Sequence, residues 1–535
     1  MKRLVSKFIL ICFALTSLVP QTIGAQENYQ MVTFNIRMDS IKSNQMDVSD
    51  VEHTFKYSDS YFYSDNTKYN DELALLSLGL EMSSITAVTA LDRNDQTLDS
   101  TIRAANLITA FDAMGFSDYK LYKYDVPLTD DSDTAACGFA TKTINNGTSN
   151  DTLVAVAIRG EGYGAEWASD FRIGDTGDAT GFANAANYVL NNLEDYLQDV
   201  EVTGNLKLWV VGYSRGAAVA DLMVHYINED TAAVSDTLQS SNIYAYAFAT
   251  PNAAVNASNN ADNNIINIVS QNDFIPEFPF SEWGFSRYGQ TMELPAADTD
   301  AVMEKYKEYT DSEPILTTNY TARSVAKSIL IGLYPSRSDY TSYLEANLVE
   351  ALKSQGSNSS ELPTVAILEG MGFGQSSSNP YLSGIMGAMG LQFAYAHISP
   401  YYLAWIESGE AKSAFEQANA EEDGDTKYTQ TLKIKKKKIT VSVKTNNKNK
   451  STKKRTIGKK KLNSFVKGVK TTLTFKKVSG NKKIKITPKG KIIIKKGIKC
   501  AKIYKVKVRA IAAESSRYNK ASKTFTVKIK VKAKK

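Results

Sequence analysis

Histidine, cysteine and long apolar runs are what this sequence has least of. Its 535 residues include three histidines and three cysteines. Cys12 falls within the first 25 residues, which leaves Cys137 and Cys500 far apart and in what read below as different domains. That spacing excludes a disulfide framework, and neither cysteine has the neighbours of a thiolate metal site. Beyond the first 25 residues no stretch approaches the 18 apolar residues of a transmembrane helix. Acidic residues are missing from one end: residues 427–535 hold 39 Lys and Arg against the single acid Glu514, a net of +38. Residues 26–426 hold 21 Lys and Arg against 56 Asp and Glu, a net of −35. The formal charge of +6 therefore conceals two bodies of opposite sign joined near residue 426.

At this length two or more domains are expected. Residues 1–25 read as a signal peptide: Lys2, Arg3 and Lys7 precede an apolar stretch over 8–15 that is too short to span a bilayer. Ile23-Gly24-Ala25 then suits cleavage after Ala25. Cys12 lies inside the apolar core rather than just after it, which argues against a lipoprotein anchor. Export without disulfides points to a secreted or surface-associated bacterial protein.

The stretch that organises the rest is LKLWVVGYSRGAAVADLMVHYI, residues 206–227. Residues 206–211 form a short apolar run suited to a buried parallel strand, and Ala217, Ala218, Ala220, Leu222, Met223 and Val224 return at helical density. Between them Gly212-Tyr213-Ser214-Arg215-Gly216 has the form G-x-S-x-G in its strand-to-helix context. So sharp a turn forces the serine into a strained backbone conformation and needs Gly212 and Gly216 where strand and helix nearly touch. The serine hydroxyl is then raised above the sheet edge, next to the first N–H groups of the helix.

Around this element the pattern is that of an α/β domain with a mainly parallel sheet. Helical patterns begin at Asp71 and again across 102–114, and strands are expected at 119–124, 135–143 and 152–158, then at 243–248 and 265–269. Residues 26–70 show one strand-like run at 31–36 and no assignable role. The 152–158 strand ends in Arg159-Gly160-Glu161, and the turn after an inner strand lies beside the nucleophile of such a sheet, so its backbone N–H is an oxyanion donor. The 265–269 strand runs into Asp273, a carboxylate just past the carboxyl end of a strand, where functional groups gather. Scarcity selects the base. His225 lies about 16 Å along the helix from Ser214 at 1.5 Å per residue, and His53 precedes the sheet, against the order Ser, acid, His. His397 remains. The segment between Asp273 and His397 is longer than a sheet needs and reads as a helical cap over about 296–390.

These segments resemble the class 3 lipase family, the fungal-lipase-like branch of the α/β-hydrolases. AIRGEGYGAEWASDF resembles the family's oxyanion-loop strand, VVGYSRGAAVA its elbow, YAFATPNAA the following strand, NIINIVSQNDFIPEFP its acid segment and AHISPYY its catalytic histidine. The resemblance implies Ser214 as nucleophile, Asp273 as acid and His397 as base. It also implies backbone N–H groups of Glu161 and Arg215 as the oxyanion hole, with no metal and no organic cofactor. The sequence departs from the family at Tyr213, Arg215 and Ala217 in the elbow, and at Glu161, where the family usually has Thr or Ser. Triacylglycerol as the substrate therefore does not follow. A peptidase or thioesterase on the same scaffold stays open, as does an inactive hydrolase-like surface-binding protein, for which the Glu161 carboxylate is the main argument.

Residues 71–410 are thus expected to form the lipase-like domain, followed by an acidic linker over 411–426. In residues 427–535, segments 433–443, 471–478, 484–494, 503–511 and 524–531 alternate β-branched residues with lysine, the period-two pattern of strands with lysines outward. Such short strands fit an immunoglobulin-like all-β sandwich, and the tail resembles the Lys-rich Ig-like modules of exported Gram-positive proteins. Its charge attracts polyanions, here anionic wall or surface polymers. Nucleic acid is disfavoured because stacking aromatics are few.

Overall fold

The computed structural model describes residues 29–533 except 43–44, 88–97, 125–132, 161–163, 256, 258–261, 297, 313–326, 329, 347–348, 350–395, 424–431, 435–437, 447–448, 458–461, 463, 468–472 and 513–519. Contacts divide the chain into two compact units, Met1–Phe415 and Glu416–Lys535.

The first unit opens with an antiparallel hairpin of two 13-residue strands, β1 (Gln30–Lys42) and β2 (Gln45–Tyr57), where sequence showed one short strand and no role. Val32, Phe34, Ile36 and Met38 alternate inward, and the Phe34 and Phe55 rings stack at 4.8 Å. Helix α1 (Asp71–Met82) follows, its first turn closed by the Asn70 side chain, which accepts from the Leu73 N–H at 3.0 Å. Next come α2 (Ala105–Met114), β3 (Ser117–Tyr122), β4 (Cys137–Asn145), β5 (Asn150–Ile158), α3 (Gly164–Asp170) and α4 (Thr180–Asp199). Then β6 (Leu206–Tyr213), α5 (Arg215–Glu229), β7 (Ile243–Phe248), β8 (Ala254–Val255), β9 (Ile265–Ser270), β10 (Phe285–Ser286), β11 (Gln290–Leu294), α6 (Asp300–Thr310) and α7 (Ser399–Glu407) complete its main elements.

Among the described residues seven strands make one sheet in the order β11-β9-β7-β6-β5-β4-β3. From β5 to β11 neighbours run parallel, whereas β3, β4 and β5 are antiparallel, so the sheet is mixed: mainly parallel with an antiparallel edge. The reason is connection length: β4 and β5 are joined by the tight turn 146–149, where the Asn146 side chain accepts from the Thr148 and Ser149 N–H groups, and so short a link permits only a hairpin. Successive residues of the inner strands face opposite layers. Leu153, Ala155 and Ala157 join Trp209 and Val211 in a core with the hairpin, α1, α2 and α7. Val154, Val156 and Ile158 join Leu208 and Val210 in a second core with α4 and α5. Of the expected cap over 296–390, α6 packs Val302 and Tyr306 into the first core, and Tyr340 and Leu344 pack into the second; residues 313–326, 329, 347–348 and 350–390 lie outside the described part. No helix among the described residues is long and apolar enough to cross a membrane.

The second unit is strand-rich. β12 (Lys433–Ile434) pairs with β15 (Val466–Lys467), and β14 (Arg455–Ile457), β17 (Ile484–Ile486) and β18 (Ile492–Ile494) form a three-stranded sheet. β13 (Lys438–Val443), β16 (Leu473–Ser479), β19 (Lys502–Ala512) and β20 (Ala521–Ala533) form a four-stranded sheet in the order β13-β20-β19-β16. The stretch expected as one strand over 484–494 is a hairpin, because Thr487 and Lys491 bond across a turn holding Pro488 and Gly490. Cys137 and Cys500 are both free and buried.

The hairpin's place in the core makes a double-mutant prediction. A Cβ on Gly79 of α1 would lie 2.3 Å from Cζ of Phe55, so the glycine is what lets the ring lie on the helix. Phe55→Ala should cost about 3–5 kcal/mol by urea unfolding. Gly79→Ala should destabilise the wild type by about 1–3 kcal/mol through overpacking, yet stabilise the Phe55→Ala protein by up to about 1 kcal/mol, the helix preference of Ala over Gly.

Candidate active site

One residue separates the central strand β6 from α5. Ser214 holds φ 51° and ψ −117°, a combination open to an L-residue only under strain. Its N–H donates to the Phe248 carbonyl at 2.8 Å, and its own carbonyl accepts from Ala217 and Ala218 at 3.0 and 3.1 Å, so both neighbouring elements grip the residue. A Cβ on Gly212 would lie 2.3 Å from the Gly216 oxygen, and one on Gly216 would lie 2.1 Å from the Ile158 oxygen. The strand, the helix and the next strand approach to backbone contact here, and only glycine fits at both positions.

Asp273 and His397 reach the serine from elements distant in sequence. Beyond β9 the chain turns, with the Asp273 N–H donating to Ser270 O at 3.1 Å, and the Asp273 side chain is wholly buried. Its Oδ1 accepts from the Ile275 N–H at 3.0 Å, and its Oδ2 accepts from the Tyr402 hydroxyl at 2.9 Å. The His397 Nδ1 stands 2.7 Å from Asp273 Oδ2, and its Nε2 stands 2.8 Å from Ser214 Oγ. With the carboxylate accepting at Oδ2, Nδ1 carries the proton and Nε2 accepts from the serine hydroxyl. The Tyr213 hydroxyl donates to the His397 carbonyl at 2.6 Å, and its ring lies edge-on to Tyr402 with centroids 5.6 Å apart. Burial, reinforced by the Asp273 charge, holds the Tyr213 and Tyr402 phenols well above their usual range, so both stay protonated donors.

The other face of the serine is the first turn of α5, where the Arg215 backbone N–H heads the helix. The Arg215 guanidinium is committed elsewhere: it donates to Asp170, to the Thr134 carbonyl at 2.8 Å and to Ser169 Oγ at 3.2 Å. Burial pushes the Asp170 carboxyl up to about 7 while Arg215 pulls it down. Glu161 lies outside the described residues. Just before it, the Gly160 N–H donates to Glu81 Oε1 at 2.9 Å. Glu81 comes from the end of α1 and is 3% exposed; its Oε1 also accepts from Ser84 Oγ at 3.2 Å, while Oε2 has no hydrogen-bond partner among the described residues. Burial drives its carboxyl well above the usual carboxylate range, against the pull of the Gly160 N–H, Ser84, Arg159 and Arg37. Two further buried pairs flank this corner: Arg159 with Glu166 at 3.0 and 3.1 Å, and Arg37 with Asp39 at 2.7 and 2.5 Å.

The structure thus brings Ser214, Asp273 and His397 into one hydrogen-bonded line, with Gly212, Gly216 and the Arg215 N–H at its root. The other histidines stand apart. His53 lies on β2 with Nε2 3.5 Å from Glu407, and His225 bonds Asp262 at 2.9 Å and stacks on Tyr288 at 3.5 Å. Sequence reasoning missed Tyr213, Tyr402 and Glu81. The two tyrosines stand beside the residues it singled out, but their partners are fixed only by the tertiary fold; Glu81 gives no local signal.

Residues 155–283 match the family model of the class 3 lipases, a span from β5 past β9 that holds Ser214 and Asp273. The match implies an α/β-hydrolase fold and a lipase-like hydrolase. No curated protein matches the chain.

The raised Glu81 carboxyl has a pH signature. The unfolded chain releases this proton near pH 4.3, whereas the folded protein keeps it to higher pH, so its contribution to stability falls as pH rises above about 4.3. Glu81→Gln keeps an acceptor for Gly160 and should remove that slope, gaining on the wild type between pH 5 and pH 8 in urea midpoint. Glu81→Ala orphans the buried Gly160 N–H and should cost about 1–3 kcal/mol near pH 4, less as pH rises and the wild type loses stability. A wild-type to Gln difference constant over that range would show an ionised Glu81.

Proposed function

We propose that the chain is a secreted serine hydrolase of carboxylic esters, working through a Ser214-His397-Asp273 triad and an acyl-enzyme. The reading rests on one observation above the others: Ser214 Oγ, His397 and Asp273 stand in a line of 2.8 and 2.7 Å hydrogen bonds, with the serine strained at the carboxyl edge of the sheet. His397 Nε2 takes the hydroxyl proton as Ser214 Oγ attacks the ester carbonyl carbon. The carbonyl oxygen becomes an oxyanion beside the Arg215 N–H at the positive end of α5. Collapse expels the alcohol, which receives the proton from His397; a water then loses a proton to His397 and attacks the acyl carbon, and collapse frees the acid and Ser214 Oγ, which takes the proton back from His397. Asp273 keeps the imidazole in the Nδ1–H tautomer and stabilises its cationic form. Glu161 is the proposed second oxyanion donor through its backbone N–H.

The substrate is proposed to be a lipid or other ester, cleaved without metal or cofactor. Residues 1–25 act as the export signal and residues 427–535 as an Ig-like sandwich that holds anionic wall or surface polymers. Support for the sandwich is the parallel pairing of the first long strand, β13, with the last, β20, which brings the ends of the module together in one sheet.

A fluorophosphonate, which reacts only with a serine activated by its base, should label the protein. Ser214→Ala and His397→Ala should abolish labelling and lower kcat on short-chain nitrophenyl esters by about 10⁶-fold, and Asp273→Asn by about 10⁴-fold. A wild-type protein that takes no label and turns over no ester would overturn the reading.

A further inference from the structure

Strand register concentrates the tail's charge on one surface. In the four-stranded sheet the buried side holds Val506, Val508, Val527 and Ile529, and the alternate residues are exposed. On β20 these include Lys528 and Lys532, with Lys530 half-buried between them, and on β19 Lys505, Lys507 and Arg509. Same-face residues lie about 6.8 Å apart along a strand, and neighbouring strands about 4.8 Å apart. Lys505 and Lys528 are direct cross-strand partners, Lys438 of β13 sits opposite Lys528 on its other side, and Lys476 of β16 sits opposite Arg509. Like charges directly opposite destabilise a sheet. Residues 427–535 hold 39 Lys and Arg against one acid, Glu514, and no ion pair forms among their described residues. Such a face is unfavourable alone and is relieved when an external anion covers it.

The face also specifies the anion's type. Thr440, Ser442, Thr524 and Thr526 place hydroxyl donors among the cations, while Phe475 and Phe525 are turned into the core. The face also carries Arg509 and Ile503, the latter 52% exposed opposite Lys530, but no exposed ring among the described residues; its cationic and hydroxyl donors suit a chain of repeated phosphates and offer nothing for bases to stack on. We propose that the outer face of the β13-β20-β19-β16 sheet is a binding site for a linear phosphodiester polymer lacking bases. The proposal rests on the reading of residues 427–535 as a polyanion-binding module, and adds to it the surface and the ligand's chemistry.

The test is binding of the full chain to poly(glycerol phosphate), with polygalacturonate and oligo(dT) as the carboxylate and nucleic-acid comparators, titrated between 50 and 300 mM salt. The expected order is tightest binding to poly(glycerol phosphate), with log K falling linearly in log salt. Lys505→Gln/Lys528→Gln/Lys530→Gln should weaken that binding at least tenfold and flatten the salt slope by about 2, while raising Tm because repulsion is removed. Lys485→Gln/Lys491→Gln/Lys495→Gln, the same charge change on exposed residues outside this face, should weaken binding less than threefold. Equal weakening by both triples would overturn the face while leaving polyanion binding intact. Tighter binding of oligo(dT) or polygalacturonate would overturn the ligand. No binding of any polymer would overturn the polyanion-binding reading itself.

Discussion

Ser214 holds a backbone conformation that costs about 1–3 kcal/mol, and it can be kept only where the surroundings leave no alternative. Its strand is the middle of the sheet, in register with β5 on one side and β7 on the other, so Tyr213 cannot shift without breaking the pairing to Phe248. Its helix starts at once, because the Ala217 and Ala218 N–H groups need the Ser214 carbonyl. Between these fixed ends the chain has one residue in which to turn, and the glycines at 212 and 216 permit the crowding that results. The rest of the site is arranged around the hydroxyl this geometry exposes. His397 is 183 residues from Ser214 and 124 from Asp273, so the three groups meet only because the fold brings the turn after β9 and the residues just before α7 to the carboxyl end of β6.

Charge burial is the second constraint. A wholly buried Asp273 would be costly alone; donors that include Ile275, His397 and Tyr402 take the place of its water. Beside it stand the buried pairs Arg215–Asp170, Arg159–Glu166 and Arg37–Asp39 and the isolated Glu81. Buried pairs of this kind contribute little net stability, since desolvation offsets attraction, but they are severe on any arrangement that separates them. Two of them tie α3 down: Asp170 to the start of α5, and Glu166 to the end of β5. The serine's helix, the strand before Glu161 and the helix after it are thereby clamped to one another. Glu81 completes the set from α1 by taking the Gly160 N–H.

What could be read from the sequence followed from how local each signal is. The apolar runs of β5, β6, β7 and β9 are buried on both faces and are visible without partners, and the elbow is a contiguous pentapeptide. Asp273 was legible because it follows a strand directly, and His397 because so few histidines compete. The hairpin was not: β2 reads QMDVSDVEHTFKY, mostly polar, and its Phe55 and Tyr57 gain meaning only against β1 and α1. The antiparallel edge β3–β4 was missed because a strand's apolar pattern does not encode its direction; the turn at 146–149 does. Tyr213 and Tyr402 sit in stretches that were read, but a hydroxyl's partner across more than 100 residues leaves no periodicity.

The two units use the same residue types in opposite ways. In residues 26–426 cations are the minority, and several arginines act as fasteners: Arg37, Arg159 and Arg215 in buried pairs, and the half-buried Arg337 donating to the carbonyls of Ile173, Gly174, Thr176 and Gly177. The surplus acid is spread over helix starts and turns, as at Asp65 and Asp99, where a carboxylate accepts from backbone N–H groups. Within residues 427–535 almost no cation can be paired, because one acid stands against 39 Lys and Arg. Stability there must come from the alternate apolar face, Ile439, Val441, Val506, Val508, Val527 and Ile529 among others, and it must overcome the repulsion of the lysines between them. A sequence needing only solubility reaches it with mixed charge at no such cost. Retaining one sign across these strands makes sense if the counter-charge arrives from outside residues 427–535.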